Sequence, residues 1–183
     1  TSPTEERYSQ FVSGVASIVD RIEGYDAAHS LEVAQTAEKL ALAAGFEGEQ
    51  LQALKAAAML HDVGETLLPR EILRTAERLN DEQTYLMRTH PLLGELHLKS
   101  RMQTPDEVPA IIRWHHERWD GLGYPDNLKG EEIPKAARIL AIADAISAMR
   151  HLRSYRPKQY KSQKDIDAEI ERHVAVEVRA RAA

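Results

Sequence analysis

Apolar residues recur along most of the chain at the three- and four-residue spacing of an α-helix, and few segments alternate as strands do. The pattern predicts an all-α protein. Helices are predicted over residues 4–24, 26–44, 49–61, 81–101, 106–116, 134–151 and 163–183. The second should end at Gly45, and the fourth should break near Pro91, because proline does not fit a helix interior.

The first predicted helix carries a short heptad stripe. Its members are Tyr8, Phe11, Val15, Ile18 and Ile22. Such a stripe is typical of a coiled coil. Residues 1–24 would then be a linker or a homodimerisation helix that follows an upstream domain. An amphipathic helix lying on its own core fits equally well, since only about two and a half heptads are present. Both interpretations stay open.

Length and charge narrow the function classes. The chain has 183 residues with 24 basic and 29 acidic side chains, for a net charge of −5, and it contains no cysteine. We therefore expect one domain with no nucleic-acid polymer as partner and no thiolate metal site. No apolar run approaches the roughly 20 residues of a membrane span, and we expect a cytoplasmic protein.

Polar residues interrupt or end several apolar helices. The set comprises His29, His61, Asp62, His90, His115, His116 and Asp144. Each one alone fits a hydrogen-bonded structural role, but a buried carboxylate is costly unless it is paired or binds a metal. Five imidazoles and two carboxylates from separate helices form the ligand inventory of a dinuclear centre, suited to Fe, Mn, Zn or Ni. The implied chemistry is phosphoester hydrolysis.

A long segment rich in glycine and proline, residues 117–134, follows the paired histidines. Gly121 and Gly123 permit backbone conformations that other residues resist, and Pro125 stiffens the turn after Tyr124. Trp119 and Tyr124 could stack on a guanine or a partner protein, or cover the end of the helical bundle. We leave these alternatives open.

Three motifs resemble those of the HD-GYP family, the bacterial phosphodiesterases that hydrolyse cyclic di-GMP. His61–Gly64 resembles the family's His-Asp-Ile-Gly, and His90, Pro91 and Gly94 resemble its His-Pro-x-x-Gly. Residues 115–125 carry the full eleven-residue signature that names the family. The resemblance extends over roughly residues 25–157.

The resemblance implies an HD-domain helical bundle over residues 25–183, with the long loop near a metal site. It makes the seven residues above ligands of two divalent ions, Fe or Mn in preference to Zn or Ni, with Asp62 bridging and His61 beside it in catalysis. A metal-bridging hydroxide would then convert cyclic di-GMP to pGpG or GMP. The resemblance also implies that Arg153 and Arg156 contact the substrate phosphates. The alternative is that both arginines are solvated. It implies partner contact or substrate access for Gly121, Gly123, Tyr124 and Pro125, an upstream sensory or receiver domain, and a signalling-protein partner.

The chain departs from the family pattern at several positions. Glu65 replaces a lysine, Ser147 replaces an aspartate, and Ser154 replaces a proline. Tyr25 stands where some members carry a third-metal glutamate, and we expect Asp26 to cap the second helix.

Glu65 matters most among these departures. Beside a substrate phosphate it would replace attraction by repulsion of roughly a few kcal/mol at an effective dielectric near 20. This keeps two alternatives open: a weak or inactive sensor module, or a phosphohydrolase for another nucleotide. If Glu65 points into solvent, it has no such effect.

Overall fold

A computed structural model describes residues 3–24, 28–75, 77–102 and 104–150. Within these ranges all regular structure is helical, so the predicted all-α class is confirmed. The α-helices are α1 (Pro3–Glu23), α2 (His29–Ala43), α3 (Gly48–Leu60), α4 (Arg70–Leu73), α5 (Asp81–Met87), α6 (His90–Arg101), α7 (Glu107–Arg113) and α8 (Lys135–Arg150). Two 3₁₀ helices lie at Val63–Leu67 and Gly130–Glu132. None of the helices in the described part is long and apolar enough to cross a bilayer.

The helix predicted over 81–101, with a break near Pro91, forms two helices, α5 and α6. Pro91 occupies the first turn of α6, the position where its missing N–H costs no hydrogen bond. Asn80 begins α5 with a capping box, in which its side chain accepts from the Gln83 amide at 2.9 Å while Gln83 accepts from the Asn80 amide at 3.0 Å. The break places His90 at the start of a helix.

Small residues let the central helices approach closely. Helix α2 packs against α3 and α8, and α3 packs against α7. Ala37, Ala57 and Ala143 lie fully buried among these helices, together with Leu60 and Leu140. Because the distance between packed helices depends on the side chains at the contact, the alanines bring the ends of neighbouring helices close together.

Helix α1 lies on this core rather than standing apart from it. Val12, Ala16 and Val19 are buried, whereas Phe11 and Ile18 are 52% and 56% exposed. The packed face is therefore offset from the predicted heptad stripe, as in the amphipathic-helix alternative. Dimerisation through the exposed residues stays a prediction.

The start of α2 is held by a carboxylate from α1. Asp20 is buried and accepts hydrogen bonds from the Ser30 hydroxyl at 2.6 Å and the Ser30 amide at 3.2 Å. The local N-cap residue, Ala28, contributes no side-chain bond, and the predicted cap Asp26 lies outside the described residues. A neighbouring helix thus satisfies a free amide of the first turn of α2, next to His29.

Candidate metal centre

The seven predicted ligands come from the ends of four helical segments and from one helix interior. His29 begins α2, His61 and Asp62 follow α3, His90 begins α6, His115 and His116 follow α7, and Asp144 lies within α8. Four of the five histidines are 2% exposed or less. The fold therefore gathers residues up to 115 positions apart into one buried cluster.

Two groups of possible metal ligands emerge from this cluster. One contains His29, His61 and Asp144; the other contains Asp62, His90, His115 and His116. Within each group, the candidate ligand atoms lie within 4.8 Å of one another. Together the groups contain all seven residues that the sequence nominated.

The Asp62 carboxylate lies between the two groups. Its Oδ2 is 2.9 Å from Nε2 of His61, in the first group, and its Oδ1 is 3.3 Å from Nε2 of His90, in the second. Asp144 serves the first group alone, with Oδ1 at 3.6 Å from His29 Nε2 and 3.7 Å from His61 Nε2. One carboxylate thus faces both groups with separate oxygens.

Backbone carbonyls orient three of the imidazoles. The Nδ1 atoms of His61, His90 and His115 donate to the carbonyls of Ala58, Met87 and Ile112 at 2.9, 2.8 and 2.6 Å. A proton fixed on Nδ1 leaves the lone pair of a neutral ring on Nε2. All three Nε2 atoms therefore face the centre.

This arrangement places electron pairs against one another. The Nε2 atoms of His90 and His115 are 3.4 Å apart, and His61 Nε2 faces an Asp62 oxygen. Such contacts are favourable only when a proton or a metal ion lies between them. Nitrogen and carboxylate donors without thiolate fit a divalent transition metal.

The pKa shifts indicate the same demand for positive charge. Burial alone would lower the pKa of His61, yet Asp62 and Asp144 raise it well above its usual value. Burial would likewise lower the pKa of His90, but the Asp62 carboxylate outweighs burial and raises this pKa. By contrast, burial lowers the pKa of His115 to about 4, helped by the neighbouring His90. Positive charge is therefore favoured beside Asp62 and Asp144 and disfavoured at His115.

Gly64 allows the His-Asp segment to meet α6 backbone to backbone. A Cβ atom at Gly64 would collide with the His90 carbonyl oxygen and lie 2.6 Å from the Gly94 amide nitrogen. Any side chain would force the two segments apart. The glycine of this motif is thus required for Asp62 to stand beside His90.

Glu65 is buried, with 3% of its surface exposed, so the interpretation that it points into solvent is wrong. It lies on the 3₁₀ helix that follows Asp62, and its charge contributes to raising the pKa of both His90 and Tyr124. The departure from the family pattern therefore places a negative charge beside the ligand cluster.

The loop after the paired histidines folds back onto the cluster. The ring of Tyr124 packs on that of His116, with 4.9 Å between centroids and 34° between planes. Burial, followed by the charges of Asp62 and Asp144, raises the pKa of Tyr124. The Arg138 guanidinium lies over the Trp119 ring, with its Cζ 5.3 Å from the ring centroid. Tyr124 borders the ligand cluster, and Trp119 lies against Arg138 of α8.

Glu117 fixes the far side of this loop. Its buried carboxylate accepts hydrogen bonds from the amides of Asp126 at 2.6 Å and Leu128 at 3.0 Å. Arg113 and the indole of Trp114 bind the Asp126 carboxylate. The reversal also needs Gly123, since a Cβ atom there would collide with the backbone of residues 117 and 118.

The sequence interpretation missed several supporting residues. It did not identify Glu117 as a loop anchor, Asp20 as a cap, or Glu32, which accepts a hydrogen bond from the Ser147 hydroxyl at 3.1 Å. Ser147 was noted as a departure alone, although its position three residues after Asp144 places both on one helix face. Arg153, Ser154, Arg156 and Tyr25 lie outside the described residues.

Comparison with known proteins decides the family. The family described as HD domain matches residues 8–172. The chain belongs to the HD domain family. Its motifs and relatives also confirm the HD-GYP resemblance.

This HD domain is 34% identical over 153 residues to the cyclic di-GMP phosphodiesterase response regulator RpfG of Xanthomonas campestris pv. campestris. It is 34% identical over 152 residues to 3'3'-cGAMP-specific phosphodiesterase 2 of Vibrio cholerae. These alignments cover 83% and 82% of the chain but 40% and 29% of the relatives, so the chain spans less than half of either. Among solved structures, Bd1817, an HDG"Y"P protein from Bdellovibrio bacteriovorus, matches 65% of this chain and 39% of its own, with 25% identity and a TM-score of 0.57.

Proposed function

We propose that this HD domain is a metal-dependent phosphodiesterase that hydrolyses cyclic di-GMP to pGpG, GMP or both. The observation that carries the proposal is the Asp62 carboxylate, whose two oxygens face different groups of buried ligands. The names of the relatives support the substrate class.

The proposed centre binds two divalent ions, with Fe or Mn preferred. His29, His61 and Asp144 would hold one ion, His90, His115 and His116 would hold the other, and Asp62 would bind both. When bound, the ions would supply a water nucleophile at neutral pH and neutralise charge on the phosphate and the leaving oxygen. The absence of cysteine agrees with a site for such metals.

The protein contributes orientation. The backbone carbonyls behind His61, His90 and His115 keep each Nε2 directed inward before any ligand arrives. The Tyr124 ring packs on one face of the His116 ring. Arg88 lies over the same tyrosine, 5.5 Å from its centroid, and we include it with Arg153 and Arg156 as a candidate contact for substrate phosphates.

A reconstitution assay tests this proposal. Protein loaded with Fe²⁺ or Mn²⁺ in the absence of oxygen is incubated with cyclic di-GMP, and products are separated by chromatography. We expect metal-dependent pGpG or GMP, and none from Asp62→Ala, which should also lose at least one ion per chain. Asp106→Ala, at an exposed helix start, is the control. Two ions retained by Asp62→Ala would exclude the bridging assignment, and no product from the loaded wild type would exclude hydrolysis of cyclic di-GMP.

Two observations favour a second candidate. Glu65 is buried beside His90, where a carboxylate repels an anionic substrate, and one relative is named as specific for 3'3'-cGAMP. The domain would then act on that or another nucleotide, or bind one without turnover as a sensor. The same assay with 3'3'-cGAMP, alongside equilibrium binding of both dinucleotides, separates these cases: product identifies the substrate, and binding without product identifies the sensor.

The partial coverage of the relatives supports a proposal about partners. One relative is named a response regulator, and the chain spans 40% of it. We propose that this domain works in the cytoplasm within a longer protein, downstream of a sensory or receiver domain connected through α1. A signalling protein could dock on the loop tip, where Leu122 is exposed, and α1 could pair in a homodimer.

A further inference from the structure

His29 differs from the other inner histidines in how its ring is held. Its Nδ1 lies 3.0 Å from the hydroxyl of Ser147, and both residues are 1% exposed or less. That hydroxyl donates to Oε2 of Glu32 at 3.1 Å. The three side chains form one line of contacts from α2 to α8 and back to α2.

The protons in this line can be assigned from hydrogen-bonding capacity. The Ser147 hydroxyl has one hydrogen, and an ionised Glu32 carboxylate can only accept. Once Ser147 donates to Glu32, its oxygen can only accept from His29. Nδ1 of His29 must then carry a proton, and Nε2 must carry the lone pair that faces Asp144 at 3.6 Å.

Three other histidines of the centre also carry a proton on Nδ1, but a different kind of acceptor holds it there. His61, His90 and His115 donate from Nδ1 to backbone carbonyls three residues earlier in the chain. Such carbonyls are neutral and are set by the helix itself. For His29, side chains from two helices do this work, and one of them is a carboxylate. A negative group behind a histidine ligand makes that ligand more basic.

We propose that Ser147 and Glu32 are positioning residues that hold His29 as a metal ligand through Nε2. This inference rests on the proposed metal centre and concerns the ion held by His29, His61 and Asp144. It also explains a departure from the family pattern: Ser147 lacks the carboxylate usual at its position, and Glu32 supplies one a single hydrogen bond further away.

Metal titration of the whole protein tests the proposal. Apoprotein is titrated with Mn²⁺, and two binding events are fitted. We expect Ser147→Ala and Glu32→Ala to weaken one event by about 10- to 100-fold and to leave the other unchanged. Ser147→Asp combined with Glu32→Ala places a carboxylate directly behind His29 with no second carboxylate facing it, and should recover most of the loss. Glu38→Ala is the matched control, since Glu38 lies on the same helix but pairs with Lys55 at 2.7 Å.

A spectroscopic measurement separates positioning from general destabilisation. In Glu32→Ala the Ser147 hydrogen is released and can donate to Nδ1, which moves the ring proton to Nε2. We expect the ¹⁵N spectrum of the metal-free variant to show this change of tautomer at His29 and no change at His115.

Three outcomes would overturn the inference. Wild-type affinity for both ions in Ser147→Ala and Glu32→Ala would show that the contacts are dispensable. Equal weakening of both events would indicate a general loss of structure. If the unaltered protein binds no Mn²⁺, Fe²⁺ or Zn²⁺, the proposed metal centre itself fails, which distinguishes that failure from the first two.

Discussion

Replacing Glu117 by alanine should release the loop that carries Tyr124 while sparing the metal ligands. The carboxylate accepts from two backbone amides, those of Asp126 and Leu128, and is itself buried. His115 remains oriented by the Ile112 carbonyl, which the substitution does not touch. The change therefore tests whether the loop and the ligand cluster are held independently.

The structure sets the size of the effect. A hydrogen bond to a charged acceptor contributes about 1.5–3 kcal/mol, so two bonds give at most about 6 kcal/mol. Water can replace much of this, because Asp126 is exposed and Leu128 is half-buried. We expect the low end, about 2–3 kcal/mol of local stability, which corresponds to about a 30- to 150-fold change in the opening equilibrium.

Hydrogen exchange measures this equilibrium directly. The amides of Asp126 and Leu128 should lose protection by that factor in Glu117→Ala, provided that they exchange through opening of the loop. We also expect a higher KM for the cyclic dinucleotide with unchanged metal affinity. Glu131→Ala, at an exposed position in the same loop, is the control. Unchanged protection at both amides would refute the reasoning.

Three further predictions concern Gly64, the protons on His61 and His90, and Asp20 at the start of α2. Gly64→Ala should destabilise the fold by about 1–3 kcal/mol in denaturant unfolding, because its methyl group collides with the His90 backbone, whereas Gly14→Ala in open space should not destabilise it. Metal affinity should rise with pH until the pH exceeds the raised pKa values of His61 and His90, because each ring must lose a proton to bind a metal. Calorimetry in two buffers should detect this proton release. Asp20→Ala should cost about 1 kcal/mol in thermal unfolding, because the Ser30 amide loses its acceptor.

Each of these has an outcome that contradicts it. Equal stability of Gly64→Ala and Gly14→Ala would mean that the two segments can separate at little cost. A metal affinity independent of pH between 5 and 8 would show that His61 and His90 bind no competing protons. An unchanged unfolding temperature in Asp20→Ala would mean that water satisfies the start of α2 equally well.

The helices were predictable because apolar periodicity is a local property of the chain. The long segments α1, α2, α3 and α8 appear close to their predicted bounds, and Gly45 ends α2 with a left-handed φ of 81°. The short helix α4 and the 3₁₀ helix after Asp62 were not predicted, since four or five residues are too few to display a period. The break before α6 was anticipated from Pro91.

The candidate ligands were also chosen from the sequence alone. Histidines and aspartates at the ends of apolar helices are chemically conspicuous, and the motifs around His61, His90 and His115 sharpened the choice. The structure brings all seven into two groups, and it places the two oxygens of Asp62 toward different groups. Their identity was a matter of residue type, whereas their division into groups required coordinates.

Burial and long-range hydrogen bonds were decided by tertiary structure. The sequence could not show that Glu65 lies inside the protein, or that Asp20 caps a different helix. Nor could it pair Ser147 with residues 115 and 118 positions away. Residue types and the spacing of apolar residues are local properties of the chain, but the surroundings of a polar group depend on which helices pack together. The sequence by itself therefore determined the helices and the candidate ligands, and the packing of α1, α2 and α8 decided how His29 is held.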